Sequence, residues 1–119
     1  MLVSVCRAKI HNAMVTGVEL EYEGSLTIDG ALMDEAGILE YEKVLVSNLA
    51  NGNRFETYVI RASKNSGAVV LNGATAHLGK VGDRIIVFAF ASMEPEKARN
   101  FHPSIIVLGE GNKIVTKRT

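Results

Sequence analysis

Apolar and polar positions alternate in short runs along most of the chain, and each run predicts a strand. Val3 to His11 puts Arg7, Lys9 and His11 on one face and Ala8 and Ile10 on the other. Asn12-Ala13 breaks that run, and Thr16-Gly17 leads into the next: Val18, Leu20 and Tyr22 against Glu19, Glu21 and Glu23, a half-buried strand over Val18–Tyr22. Leu26 and Ile28 alternate before Asp29-Gly30. Ala31 to Ala36 reads as a short helix, capped by Asp29 and stopped by Gly37. Val44–Leu49 and Arg54–Arg61 are strands on either side of the Asn51-Gly52 turn signal. In the second of them Phe55, Thr57 and Val59 alternate against Arg54, Glu56 and Tyr58. Lys64–Gly67 is a loop, Ala68–Leu71 a short apolar strand running into the turn signal Asn72-Gly73, and Ala74–Leu78 at most one helical turn. Arg84–Ser92 is a strong strand, Glu94–Arg99 a helical turn with Pro95 near its start, and Ile105–Leu108 and Ile114–Thr116 flank Gly109–Asn112. Roughly seven short strands, few helices and many glycine turns predict an all-β fold, a small closed barrel. No linker or repeat divides residues 1–119, which read as a single domain.

Composition narrows the class. With 47% hydrophobic residues the chain can bury a real core, although at 119 residues it gains stability from oligomerisation. Thirteen basic and thirteen acidic residues cancel, which argues against nucleic-acid and membrane-surface partners. Cys6 is the only cysteine, so no internal disulfide or cysteine metal cluster is expected, as suits a cytoplasmic protein. Met1–Ile10 is interrupted by Arg7 and Lys9, unlike a signal peptide, and no run is long enough to span a membrane. His11, His77 and His102 are too scattered for ligand spacing, so no metal is expected. Nucleophile-elbow, zincin, P-loop and dinucleotide signatures are all missing.

The candidate chemistry lies at Tyr22-Glu23-Gly24-Ser25. Gly-Ser at a strand end is ordinarily a turn. The alternative is that the Ser25 hydroxyl attacks the carbonyl of the preceding peptide bond, which a small residue such as Gly24 leaves open. The resulting ester can eliminate to a dehydroalanine and hydrolyse to an N-terminal pyruvoyl group, a carbonyl cofactor made by the chain itself. Two further polar clusters follow turn signals, where loops carry function: Asn51-Gly52-Asn53-Arg54-Phe55-Glu56-Thr57-Tyr58 and Leu71-Asn72-Gly73-Ala74-Thr75-Ala76-His77.

Tyr-Glu-Gly-Ser at 22–25, Lys-x-His at 9–11, Asn-Gly-x-Arg-Phe-x-Thr-Tyr at 51–58 and Asn-Gly-Ala-x-Ala-His at 72–77 resemble the aspartate 1-decarboxylase family, pyruvoyl enzymes that make β-alanine for pantothenate synthesis. The resemblance runs from the first strand to about Pro103, in the family's order and spacing. It implies a six-stranded double-psi β-barrel with short helices and self-cleavage into 1–24 and 25–119. It also implies a homotetramer with sites between subunits, and a maturation factor where cleavage is not spontaneous. Carried over by position, Ser25 becomes the pyruvoyl group that forms an imine with L-aspartate, and Tyr58 is the proton donor. Thr57, Gly73, Ala74 and Thr75 match substrate-binding positions, while Lys9, His11, Tyr22, Arg54 and Asn72 line the site. The family usually has alanine where this chain has Thr75; binding through the main chain survives that change.

The residue types suit the chemistry. Arg54 can hold a carboxylate bidentately, and Lys9 adds positive potential toward an anionic substrate. In processing, either Asn72 or Thr57 could orient a carbonyl or hydroxyl beside Gly24 and Ser25. Strict alternation sets Arg54 and Tyr58 on one face and Thr57 on the other, which a bulge or a site shared between subunits would reconcile. Two other readings stand beside this one: a non-catalytic double-psi barrel that binds or assembles, and a pyruvoyl decarboxylase for another amino acid.

Overall fold

A computed structural model describes residues 1–118; Thr119, the last residue of the expected domain, lies outside the described residues. The elements are β1 (Val3–Met14), β2 (Gly17–Glu19), β3 (Ser25–Asp29), α1 (Gly30–Ala36), β4 (Lys43–Asn48), β5 (Arg54–Ala62), β6 (Val69–Asn72), β7 (Arg84–Met93), α2 (Pro95–Ala98), β8 (Ser104–Leu108) and β9 (Ile114–Arg118), with 3-10 turns at Gly73–His77 and Glu110–Asn112. The protein is mainly β and barrel-like.

The nine strands of the described residues belong to one sheet, in the order β2-β6-β3-β5-β4-β7-β1-β8-β9. Its ends meet because β2 continues β1: Val15 N–H donates to Asp83 O and Thr16 N–H to Val69 O, so the chain crosses from the β7 side to the β6 side at that point. Counting β1 and β2 as one bent strand, six strands close the ring, and the β8–β9 hairpin extends the sheet from β1. Inward positions are apolar and fully buried: Ala8 and Ile10 of β1, Leu26 and Ile28 of β3, Val44 and Val46 of β4, Val59 of β5, Leu71 of β6, Ile85 and Val87 of β7. Burying such a side chain is worth about 1.5–3 kcal/mol, so this alternation carries the fold.

Asn12-Ala13, expected to break the first strand, instead bulges it. The pairing with β7 shifts between Ile10 and Ala13, Asn12 takes φ 67°, and its Nδ2 donates to Leu108 O at 3.0 Å. The extra residue lets Ile10 and Ala13 both face the core although three positions apart. Helix α1 forms as its caps predict: Asp29 Oδ1 accepts from Ala31 N–H at 2.8 Å, and Gly37 closes it at φ 75°.

The expected strand over Val18–Tyr22 is shorter than its alternation suggests. β2 pairs with Val70, Leu71 and Asn72 only, because β6 then passes into the 3-10 turn and leaves nothing to continue the ladder. The chain turns instead, Tyr22 N–H donating to Glu19 O at 3.2 Å. Val18, Leu20 and Tyr22 are therefore exposed.

Arg61 donates through Nη1 and Nη2 to the Asp34 carboxylate, each at 2.8 Å, and with Lys64 nearby it holds that carboxyl down at about 2. A depressed acid contributes stability above its unfolded value of about 4 and loses it as pH falls toward 2. Asp34→Asn should cost about a degree or two of Tm at neutral pH, as exposed pairs do, and nothing near pH 2. Thermal scans of both proteins across that interval test it; a constant gap would remove the ion pair from the acid response.

Candidate active site

Ser25 opens β3 and is almost fully buried. Its Oγ accepts from Asn72 Nδ2 at 2.9 Å and lies 3.4 Å from Glu23 O. Asn72, opposite it on β6, divides its amide between Ser25 Oγ and Thr27 Oγ1, the latter at 2.8 Å, while its own Oδ1 is buried without a partner. No titratable side chain hydrogen-bonds to Ser25 among the described residues, so Ser25 sits in a network of neutral amides and hydroxyls.

The segment before Ser25 is held loosely. Glu21, Tyr22, Glu23 and Gly24 are all exposed. A Cβ on Gly24 would meet no atom within 4 Å apart from its chain neighbours, so open space lies beside this residue. Gly73, at φ 63°, presses on the segment from the other side, where a Cβ would lie 2.6 Å from Tyr22 O and 2.7 Å from Gly24 N. Only glycine fits there. Severing the chain at 24/25 would leave β3 in place, since Leu26–Asp29 stay paired with β5 and Ser25–Ile28 with β6. The local structure thus fits a pyruvoyl group at position 25: a buried chain end anchored by two ladders.

Beyond Asn72 the 3-10 turn brings Gly73, Ala74 and Thr75 past the serine. Thr75 is buried and its Oγ1 donates to Asn72 O at 2.7 Å, 3.5 Å from Ser25 O. Ala74 is exposed, and the first N–H groups of such a turn have no partner within it.

On the other side, Leu26 pairs with Val59 in the parallel β3–β5 ladder, so Ser25 and Tyr58 stand one residue earlier on neighbouring strands. The Tyr58 ring leans on Tyr41, centroids 6.4 Å apart, and its hydroxyl has no hydrogen-bond partner among the described residues. β5 pairs with β4 without a register shift from Arg54 to Tyr58, which removes the bulge as an explanation for the two faces. Thr57 and Tyr58 nevertheless open on one shallow depression with Lys43 and Glu56.

Arg54, Lys9 and His11 form a separate group. Arg54 Nη1 donates to Ser47 Oγ at 2.7 Å, and its guanidinium sits 5.9 Å from the Phe88 ring, across β4 on β7. It thus points away from β3. Its backbone is four residues from Tyr58, about 13 Å along a strand. Lys9 Nζ approaches Phe88 as well, at 5.6 Å, so one aromatic ring gathers both cations. His11 is half-buried with Nδ1 unpartnered, and burial first, then the charge of Lys9, lowers its pKa. Among the described residues no hydrogen bond joins Arg54, Lys9 or His11 to Ser25. Sequence reasoning missed Phe88, Ser47 and Thr27; Thr27 alone was signalled, by standing two residues from Ser25 on the same face.

No helix among the described residues is long and apolar enough to cross a membrane. Among the described residues no three His, Cys, Asp or Glu side chains are grouped to hold a metal.

A sequence model of the family described as aspartate decarboxylase matches residues 1–115. The chain is 48% identical over 118 residues to the aspartate 1-decarboxylase of Lactiplantibacillus plantarum, covering 99% of this chain and 90% of that one. It is 50% identical over 114 residues to that of Alcanivorax borkumensis, covering 96% and 90%. The enzyme of Caldicellulosiruptor saccharolyticus is 50% identical over 115 residues, with 97% and 90% covered.

Proposed function

The chain belongs to the aspartate decarboxylase family, whose members named above are carboxy-lyases, and we propose that it converts L-aspartate to β-alanine and carbon dioxide with a pyruvoyl group made from its own Ser25. The product serves pantothenate synthesis in the cytoplasm. The observation that supports this most is the buried Ser25 hydroxyl, bonded to Asn72 and preceded by an exposed Gly24 with open space beside it.

Self-cleavage balances as follows. Ser25 Oγ bonds to the Gly24 carbonyl carbon, the C–N bond breaks, and the hydroxyl proton passes to the nitrogen. Loss of the Ser25 Cα proton expels Gly24 as its carboxylate, and water then displaces the nitrogen as ammonia. Asn72 Nδ2, bonded to Ser25 Oγ, orients the hydroxyl for this attack, and Thr57 is the other residue for orienting the carbonyl. The finished group supplies a carbonyl that takes up the substrate amine and withdraws the electrons released with carbon dioxide.

The chain's residues bind and orient around it. The main-chain N–H groups of Gly73 and Ala74, the first of the turn, face one carboxylate with Thr75 beside them, and Tyr58 delivers the proton that replaces carbon dioxide. Arg54 holds the other carboxylate, with Lys9 adding charge and His11 and Tyr22 closing the walls. Because Arg54 is turned toward Phe88, the Ser25 of one subunit takes its Arg54, Lys9 and His11 from a neighbour. The exposed Val18, Leu20 and Tyr22 beside the cleavage point are the surface such a neighbour would cover, in a homotetramer.

Intact mass tests the proposal: fragments 1–24 and 25–119 are expected, together with β-alanine formation from aspartate. A single uncut chain without activity would instead favour the non-catalytic barrel. Arg54→Lys should split normally but lose about 10–100-fold in kcat/KM, because lysine keeps the charge and loses the two-pronged donor. An unchanged kcat/KM in fully processed protein would take Arg54 out of carboxylate binding.

A further inference from the structure

Thr27 stands two residues beyond Ser25 on the same face of β3, and the two hydroxyls share one donor. Asn72 Nδ2 reaches Thr27 Oγ1 at 2.8 Å and Ser25 Oγ at 2.9 Å. An amide nitrogen carries two protons, one for each oxygen. Asn72 also begins the Gly73–His77 turn, where an asparagine ordinarily caps the first N–H groups, yet its side chain makes no capping bond. Its Oδ1 is buried without a hydrogen-bond partner among the described residues. Two hydroxyl oxygens alone therefore set the direction of this amide.

The two oxygens are unequal anchors. Thr27 is paired on both sides, with Ile60 of β5 and Val70 of β6, and a β-branched side chain has little freedom about χ1. Ser25 is unbranched, pairs with Asn72 outside the β3–β5 register, and follows an exposed segment. Thr27 Oγ1 is thus the fixed point and Ser25 Oγ the group being oriented. The two N–H bonds of an amide lie in one plane at a set angle, so anchoring one on Thr27 aims the other. We propose that Thr27 is a positioning residue for self-cleavage: its hydroxyl holds the Asn72 amide so that Nδ2 fixes the Ser25 hydroxyl for its attack on the Gly24 carbonyl. This inference rests on the self-processing reading. Without Thr27 Oγ1, one buried N–H joins Oδ1 in having no partner, the amide turns to relieve it, and the nucleophile loses its orientation.

The test follows cleavage in time. Full-length chains are made in a short burst of cell-free translation, and intact mass records the loss of 1–119 and the rise of 25–119. Thr27→Val keeps the shape and loses the hydroxyl; it should split about three- to tenfold more slowly than the parent, the effect of one buried hydrogen bond, and Thr27→Ala should do the same. Thr27→Ser, which keeps only the hydroxyl, should split at close to the parent rate. A packing role gives the opposite order, with Thr27→Val spared and Thr27→Ser slowed, and that order would overturn the proposal. Asn72→Ala checks the route: Thr27→Val should slow cleavage no further in that background, because the two residues act through one amide. A full additional loss there would show that Thr27 does not work through Asn72. A parent chain that stays whole would remove the self-processing reading and this inference with it; a parent that splits alongside an equally fast Thr27→Val removes the inference alone.

Discussion

Ser25→Ala is expected to give one uncut chain with no decarboxylase activity. Both losses come from one missing atom. Cleavage needs a hydroxyl able to reach the Gly24 carbonyl, and the carbonyl cofactor is what the same hydroxyl leaves behind. The variant should still fold, because Asn72 Nδ2 keeps Thr27 Oγ1 at 2.8 Å when its bond to Ser25 Oγ is lost, and alanine fills most of the serine's volume. A folded, uncut, inactive protein separates this account from one in which the substitution merely destabilises the barrel. Mass also distinguishes how the parent chain is cut. If the long fragment starts with a pyruvoyl group it is lighter by one ammonia than the same fragment starting with serine. Decarboxylation by uncut Ser25→Ala would show that the chemistry does not depend on a group made at that position, and a split Ser25→Ala chain would show that another nucleophile opens the peptide bond.

Where residues pack within one chain, alternation was a sufficient guide. Val44, Val46, Ile85 and Val87 are inward because a strand's period is two, and the core accepts only apolar side chains there. Asp29 and Gly37 ended α1 where cap chemistry says they should. The reading failed where the length of the neighbouring strand decided the outcome. Val18, Leu20 and Tyr22 alternate as a buried strand does, yet β6 ends at Asn72 and the described residues leave them 40%, 50% and 66% exposed. An apolar face records that something is buried against it without recording whose residues do so. Asn12 failed differently: a break and a bulge use the same residue types, and only the pairing with β7 tells them apart. The site divides along the same line. Ser25, Asn72, Gly73 and Thr75 meet in one chain through a ladder and a turn that follow from sequence spacing. Arg54 and Lys9 gather around Phe88 on another stretch of surface, with His11 near Lys9, and it is the proposed function that ties them to Ser25, through assembly.

Tyr58→Phe is expected to leave cleavage and assembly intact while lowering kcat by about 10²–10⁴, the contribution of a positioned acid. Ser25 makes no hydrogen bond to Tyr58, and the β3–β5 and β4–β5 ladders run through the backbone, so nothing needed for cleavage is removed. Phenylalanine also keeps the ring that leans on Tyr41. What disappears is one proton donor beside the carbon that has lost carbon dioxide. A phenol is a weak acid toward water but an adequate one toward a carbon carrying a displaced electron pair, and the Tyr58 hydroxyl spends no hydrogen bond elsewhere among the described residues. The plainer role for this side chain is that of a barrel aromatic whose hydroxyl only meets water, and on that role the substitution would change kcat little. Turnover in deuterium oxide adds a readout that packing does not move. With a donor fixed on one face, the deuterium at the former α-carbon of β-alanine should enter with one handedness, and in Tyr58→Phe, where solvent must supply it, that handedness should be lost. Full activity with retained stereochemistry in processed Tyr58→Phe would assign the proton to another group.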